Sequence, residues 1–277
     1  MLEWPGNGPQ WAAPAKEVPG RMPVLIVSAI SAFSDNYIWL VRRGGTDCAV
    51  VDPGEARPVQ EALRREGLQL RHILLTHHHP DHVGGMPELH RLTGATVFGP
   101  ADARIPGQYQ VVREGNEAHL AGLGLKFSVL EVPGHTATHI AYWGHGCLFC
   151  GDTLFSVGCG RLFEGTPGQM QASLDKLASL PPDTQVYCGH EYTLANCAFA
   201  LAVEPDNVDL QVKMQSVKAL REAGKSTLPS LLGEELQVNP FLRSRVESVI
   251  RAARKRDSSA SPGASTLGVI RQWKDNW

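Results

Sequence analysis

The chain has 277 residues, 43% of them hydrophobic, with a formal net charge of −2 and a pI of about 6.6. This supports a sizeable core, in one large domain or two smaller ones, and leaves no global positive field of the kind that draws a protein to nucleic acid. No run of eighteen apolar residues offers a membrane span, and the first twenty residues lack the basic-then-apolar plan of a secretory leader.

Residues 1–21, rich in Pro, Gly and Ala, are expected to be a flexible extension, with Met22 a natural alternative start. Six cysteines and no leader suit a reducing cytoplasm. Cys147 and Cys150 have CxxC spacing, but no second pair completes a zinc site, and Leu148-Phe149 between them reads as a buried strand. Residues 24–27 and 36–41 are rich in β-formers, and 48–51 is a buried-type strand ending in the turn Asp52-Pro53-Gly54. Residues 58–66 have a helical pattern that stops at Gly67. A strand over 72–75, a helix over 86–92 closed by Gly94, and a strand over 96–98 follow. Several glycine-punctuated strands lie within 108–150, then a helix over 169–179 and a last clear strand over 185–187. From Glu191 onward the pattern is helical, over 191–203, 208–223 and 243–256, with a loop at 257–263. The basic residues Arg243, Arg245, Arg251, Arg254, Lys255 and Arg256 are expected on a solvated helix face. Mixed strands and helices followed by a helical tail indicate an α+β chain.

The strand at 72–75 delivers Thr76-His77-His78-His79-Pro80-Asp81-His82-Val83-Gly84-Gly85. Side chains alternate on an extended backbone, so His77 and His79 point one way and His78 another. Asp81 and His82 come after a proline that bends the chain, so they can face a neighbouring point. Imidazole and carboxylate are the donors that divalent transition metals take, and two groups offset by a turn suggest two ions side by side. Three later segments place a further donor just past a strand: Gly134-His135, Gly151-Asp152 and Gly189-His190. In each, a glycine permits close backbone approach or positive φ.

HxHxDH, PGHT, GDT and GHE in this order resemble the metallo-β-lactamase superfamily, and within it the glyoxalase II (hydroxyacylglutathione hydrolase) family. Further matching segments are Phe33-Ser34-Asp35-Asn36-Tyr37, Cys159-Gly160-Arg161, Phe163-Glu164-Gly165, His190-Glu191-Tyr192-Thr193 and residues 271–275, so the likeness runs from about residue 24 to the C-terminus. It implies an αββα sandwich over 22–190 and a helical, glutathione-binding domain over 191–277. His77, His79 and His135 would hold one divalent ion, Asp81, His82 and His190 a second, with Asp152 bridging. Zinc is the first choice, with iron and manganese compatible. The implied reaction is hydrolysis of S-D-lactoylglutathione to D-lactate and glutathione in methylglyoxal detoxification, by a monomer. Asp81 and Asp152 would orient the nucleophile. Arg161, Phe163, Tyr192, Arg271 and Lys274 would line the substrate site, the terminal pair being otherwise a frayed tail.

His78 is expected to be a bystander and His139 a packing or supporting group. Thr138 stands where relatives usually have glycine, and Phe163 where some have tyrosine. Rival readings are a mononuclear iron persulfide dioxygenase, a nuclease, a β-lactamase or a metal-binding protein without activity. The complete second ligand set, the net charge and the helical tail weigh against them.

Overall fold

The computed structural model describes residues 24–277; the extension expected over 1–21 lies outside them. Strands β1 (Leu25–Ala32), β2 (Asn36–Arg43) and β3 (Asp47–Val51) run antiparallel in succession. Helix α1 (Ala56–Glu66), ended by Gly67 at φ 63°, crosses to β4 (Gln69–Leu74), parallel to β3. Helices α2 (Pro80–Val83) and α3 (Met86–Thr93) lead to β5 (Thr96–Gly99), and β6 (Gln110–Val111) completes a sheet in sequential order. The second sheet begins as an antiparallel meander of β7 (Glu117–Leu120), β8 (Leu125–Glu131), β9 (Ile140–Gly144) and β10 (Cys147–Gly151). A ribbon of β11 (Leu154–Phe155) and β12 (Gly158–Cys159) then leaves it. Helix α4 (Pro167–Ala178) returns the chain to β13 (Gln185–Cys188), parallel to β10. Helix α4 starts two residues before its expected bound, because Thr166 and Gln169 form a reciprocal capping box and proline fits the first turn.

Period-two patterning sorts the side chains. Trp39, Val41, Ala49, Val51 and Leu74 pack with Phe127, Tyr142 and Phe149 between the sheets. Their neighbours Ile38, Leu40, Val50 and Ile73 face the other way, onto Val59 and Ala62 of α1 and Met86 and Leu89 of α3. Each buried Val, Leu, Ile, Phe or Met side chain among these contributes about 1.5–3 kcal/mol. All six cysteines are free and buried, and Cys147 to Cys150 is a core strand.

The tail comprises α5 (Thr193–Val203), α6 (Val208–Glu222), β14 (Ser230–Leu231), α7 (Leu232–Val238), α8 (Glu247–Arg254) and α9 (Ala264–Asp275). Residues of α4, α8 and α9 cover the outer face of the second sheet, giving the αββα layering expected. The tail is not wholly helical: β14 pairs with β13 and becomes that sheet's edge. Two residues are too few to carry an alternation signal. Of the basic residues of 243–256, Arg245, Arg251, Arg254, Lys255 and Arg256 are exposed, as expected of a solvated face, and Arg243 is the exception. Arg243 holds the buried Glu204 through two bonds of 2.8 and 3.0 Å, Arg245 pairs with Asp175, and Arg256 stacks on Trp273. Among the described residues, no helix is long and apolar enough to cross a membrane.

Candidate metal centre

Five chain segments end at one edge of the sandwich. His77 and His79 follow β4, Asp81 and His82 ride on α2, His135 follows β8, Asp152 follows β10 and His190 follows β13. His79 Nδ1 lies 3.1 Å from both His77 Nε2 and His135 Nε2. Asp81 Oδ2 lies 3.4 Å from both His82 Nε2 and His190 Nε2. Asp152 reaches both groups, with Oδ2 3.5 Å from His135 Nε2 and 3.3 Å from His190 Nε2, and Oδ1 3.4 Å from His82 Nε2. All seven residues named from the sequence converge. The glycines before them act as anticipated: Gly134 and Gly151 have φ 151° and 47°, and a Cβ on Gly189 would sit 2.6 Å from Asp152 Oδ1 and His82 Cε1.

These donors fit divalent cations. Metal–nitrogen bonds of about 2.0–2.1 Å around a tetrahedron put donor atoms roughly 3.4 Å apart, which is the spacing seen. His82 Nε2 and Asp152 Oδ1 are buried with no hydrogen-bond partner, so the floor holds unsatisfied donors aimed at one another. Among the described residues three groups of three donors lie within 4.8 Å of one another: His77–His79–His135, Asp81–His82–His190, and Asp52–His77–His82, which shares one member with each; the first two suit a pair of ions side by side.

Charge tells the same story. Burial, then His135 and His78, bring His79 down to about 4. At His190, burial opposes charge but is outweighed by Asp152 and Asp81, which push it up to about 10. The direction marks a pocket whose two carboxylates call for a positive charge beside them.

On four of the five imidazoles the ring nitrogen facing away from the cluster is also held. His82 Nδ1 lies 3.0 Å from Asp52 Oδ2, His190 Nδ1 2.8 Å from Asp35 Oδ1, and His135 Nδ1 2.9 Å from the Arg161 carbonyl. His77 Nδ1 is 3.0 Å from Thr76 Oγ1, which in turn donates to Asp52 Oδ2 at 2.6 Å. Asn36 Nδ2 donates to Asp81 Oδ2 at 2.9 Å. Fixing the far nitrogen sets ring orientation and tautomer. The sequence reading missed Asp35, Asn36, Asp52 and Thr76 in this role. Asp35 and Asn36 lie within a segment that carries the resemblance and Thr76 opens the histidine cluster, whereas Asp52 had only its place in a turn after a strand as a signal.

His78 stands apart, 3.4 Å from Asp102 and 3.7 Å from Glu164. His139 is fully buried: its Nε2 accepts from the Asp152 N–H at 3.1 Å, and its Nδ1 faces the Ile140 carbonyl at 3.0 Å. The imidazole thus supports Asp152 through backbone. Thr138, the departure from glycine, donates to the buried Asp102 at 2.6 Å, so this turn gains a bond.

A cleft of about 620 Å³ opens over the centre, lined by His79, Asp81, His135, Asp152 and His190 at its floor. Arg161, Phe163, Tyr192, Arg271 and Lys274 all line it. Phe163 is 63% exposed and meets the His79 and His135 rings edge-on. Tyr192 stacks flat on His190, centroids 4.7 Å apart. The Arg161 side chain is 61% exposed, with Nε 3.4 Å from Asp275. Arg271 is different. It is 4% exposed, donating to the Cys159 carbonyl at 2.6 Å and pairing with Asp275. The terminal segment is a packed helix, with Leu267 and Ile270 in the core, and not a frayed tail. Lys274 Nζ bonds Asn196 Oδ1.

The chain is similar to known proteins over both of its parts. The family described as Metallo-beta-lactamase superfamily matches residues 33–190, and Hydroxyacylglutathione hydrolase C-terminus matches 191–277. A hydroxyacylglutathione hydrolase of Photobacterium profundum is 51% identical over 92% of this chain and all of its own length. Among solved structures, ETHE1 from Myxococcus xanthus superposes with TM-score 0.63 at 26% identity, covering 89% of this chain and 90% of its own. TTHA1623, solved in a di-iron-bound form, gives TM-score 0.55 at 25% identity over 80% of this chain and all of its own. The chain therefore belongs to the metallo-β-lactamase superfamily and, within it, to the hydroxyacylglutathione hydrolase family.

Proposed function

We propose that the chain is a hydroxyacylglutathione hydrolase, cleaving S-D-lactoylglutathione and related 2-hydroxyacyl thioesters to the hydroxy acid and glutathione. One observation carries the reading: a single cleft joins the His/Asp floor to a wall bearing Arg161, Tyr192 and Lys274. His77, His79 and His135 would hold one ion and Asp81, His82 and His190 the other, with Asp152 shared. Zinc is the first choice, and iron or manganese suit the same donors. When bound, the pair supplies a hydroxide nucleophile at neutral pH and polarises the thioester carbonyl.

The chain's own residues do the rest. Asp81, fixed by Asn36, and Asp152, fixed through His139, accept hydrogen bonds at the floor and orient the attacking water. Glutathione brings two carboxylates, which Arg161 and Lys274 meet with charge. Burial, then Asp35 and Asp152, raises the Tyr192 hydroxyl, so it stays protonated and donates. Arg271, whose guanidinium is engaged by Cys159 and Asp275, shapes that wall from behind. Phe163 closes the acyl side with an apolar ring and no hydroxyl. The departing thiolate needs no dedicated acid, since a thiol has a pKa of about 8.5.

The test is turnover of S-D-lactoylglutathione by metal-analysed protein, with D152A beside it. Release of thiol by the parent and a fall in kcat of about 10²–10³ in D152A are expected. A metal-loaded parent that leaves the thioester intact, or that consumes oxygen with glutathione persulfide, would overturn the reading.

A further inference from the structure

The ribbon β11–β12 has two residues per strand, too few to define its own shape. It nevertheless carries two cleft residues, Phe155 and Cys159, and leads through Gly160 into Arg161. Its backbone is held from outside, by side chains of the C-terminal helices. Asn196 of α5 donates to the Ser156 carbonyl at 2.9 Å. Glu235 of α7 accepts from the Val157 N–H at 2.7 Å. Asn239, just past α7, donates to the carbonyls of Phe155 and Gly158 at 3.1 and 3.0 Å, and also to Glu235. Arg271 of α9 takes the Cys159 carbonyl. Five consecutive residues, 155–159, thus each have a backbone group bonded to a side chain of the C-terminal region.

Glu235 is the unusual member. It is fully buried, and burial pushes its carboxyl up despite the bond to Val157. A buried carboxyl is costly, and an apolar residue would pack here at lower cost. The group it serves, Val157, has φ 57°, a left-handed conformation unfavourable for a β-branched residue. Such a conformation persists only where surroundings impose it, and Glu235 with Asn239 impose it at the turn between Phe155 and Cys159.

We propose that Glu235, seconded by Asn239, is a positioning residue for substrate selection: it sets the ribbon that places Phe155, Cys159 and Arg161, and so fixes the glutathione end of the cleft without touching substrate. This rests on the thioester reading above. It predicts a specific kinetic split. E235L leaves the Val157 N–H unsatisfied and frees the turn, whereas E235Q keeps an acceptor oxygen in place. In E235L the KM for S-D-lactoylglutathione should rise by about tenfold to a hundredfold. The ratio of its kcat/KM to that of S-lactoyl-N-acetylcysteamine, a thioester lacking the glutathione arms, should fall in parallel. E235Q should restore most of both. Bound metal, counted in the same samples, should stay at the parental level.

A role in stability alone gives the opposite outcome, with equal loss on both thioesters or a parental KM in E235L, and either result overturns the proposal. Should E235L not fold, N239S, which removes the bonds to Phe155 and Gly158, makes the same comparison and is judged the same way. Parent turnover tests the thioester reading, and the variant-to-parent ratio tests this proposal, so the two failures are separable.

Discussion

Asp52 and His82 face one another in the buried floor, with Oδ2 3.0 Å from Nδ1, and the same oxygen accepts the Thr76 hydroxyl that neighbours His77 Nδ1. One carboxylate therefore orients an imidazole from each candidate metal set, one directly and one through a hydroxyl. The Asp52 backbone adopts φ 51°, and its other carboxylate oxygen, Oδ1, accepts the Thr76 N–H at 2.8 Å.

T76V separates the two branches, since valine keeps the shape and removes only the hydroxyl. The His77 set should lose affinity by about 10–100-fold while the Asp81–His82–His190 set holds its ion, giving stepwise metal loss under a chelator. Competition titration with metal analysis checks this. Simultaneous loss of both ions, or of neither, would contradict the relay.

Lys274 gives the pH dependence. Burial first, and Arg271 second, bring its ammonium down to about 7. Above that pH the free enzyme presents a neutral amine to a glutathione carboxylate, so KM should rise from about pH 6.5 to 8.5. K274R stays charged and should keep KM flat across that range. For stability, the folded value lies below the ordinary value of about 10.4. Between about pH 7 and 10 the unfolded chain binds more protons, so this residue makes stability rise with pH there. K274M should be more stable than the parent at pH 6, and the gap should close towards pH 10. A parental KM independent of pH would remove Lys274 from substrate binding.

Thr138 is testable as a local gain. Its hydroxyl bonds the ionised Asp102, which Arg104 holds well below the usual carboxylate range. T138G should lower stability by about 1.5–3 kcal/mol, as expected for a hydrogen bond to a charged group, with metal content unchanged. Denaturant titration measures it. A parental midpoint would show that the bond contributes nothing.

The metal floor was legible because its donors are chemically rare and sit beside strand ends that alternation reveals. Asp35 and Asp52 were less so: nothing in a lone aspartate says whether it faces solvent or an imidazole. Glu235 illustrates the limit. In the sequence Leu232-Gly233-Glu234-Glu235-Leu236, two adjacent acids read alike. Yet Glu234, its side chain 43% exposed, pairs with Lys213, and Glu235 is sealed beneath a ribbon nearly eighty positions away. Arg271 shows the same limit, since a charge near a chain end does not reveal that α9 packs it against the Cys159 carbonyl. Long-range packing decided these cases, and it leaves no periodic trace.

The placement of the donors has a structural consequence. His77, His79, Asp81 and His82 come from the half of the chain built on β4, whereas His135, Asp152 and His190 come from the half built on β8, β10 and β13. Neither half owns a complete set. Each ion would be gripped across the seam, like a rivet through two plates, so its affinity also measures how well the plates are docked. By linkage, the free energy of chelation becomes resistance to their separation.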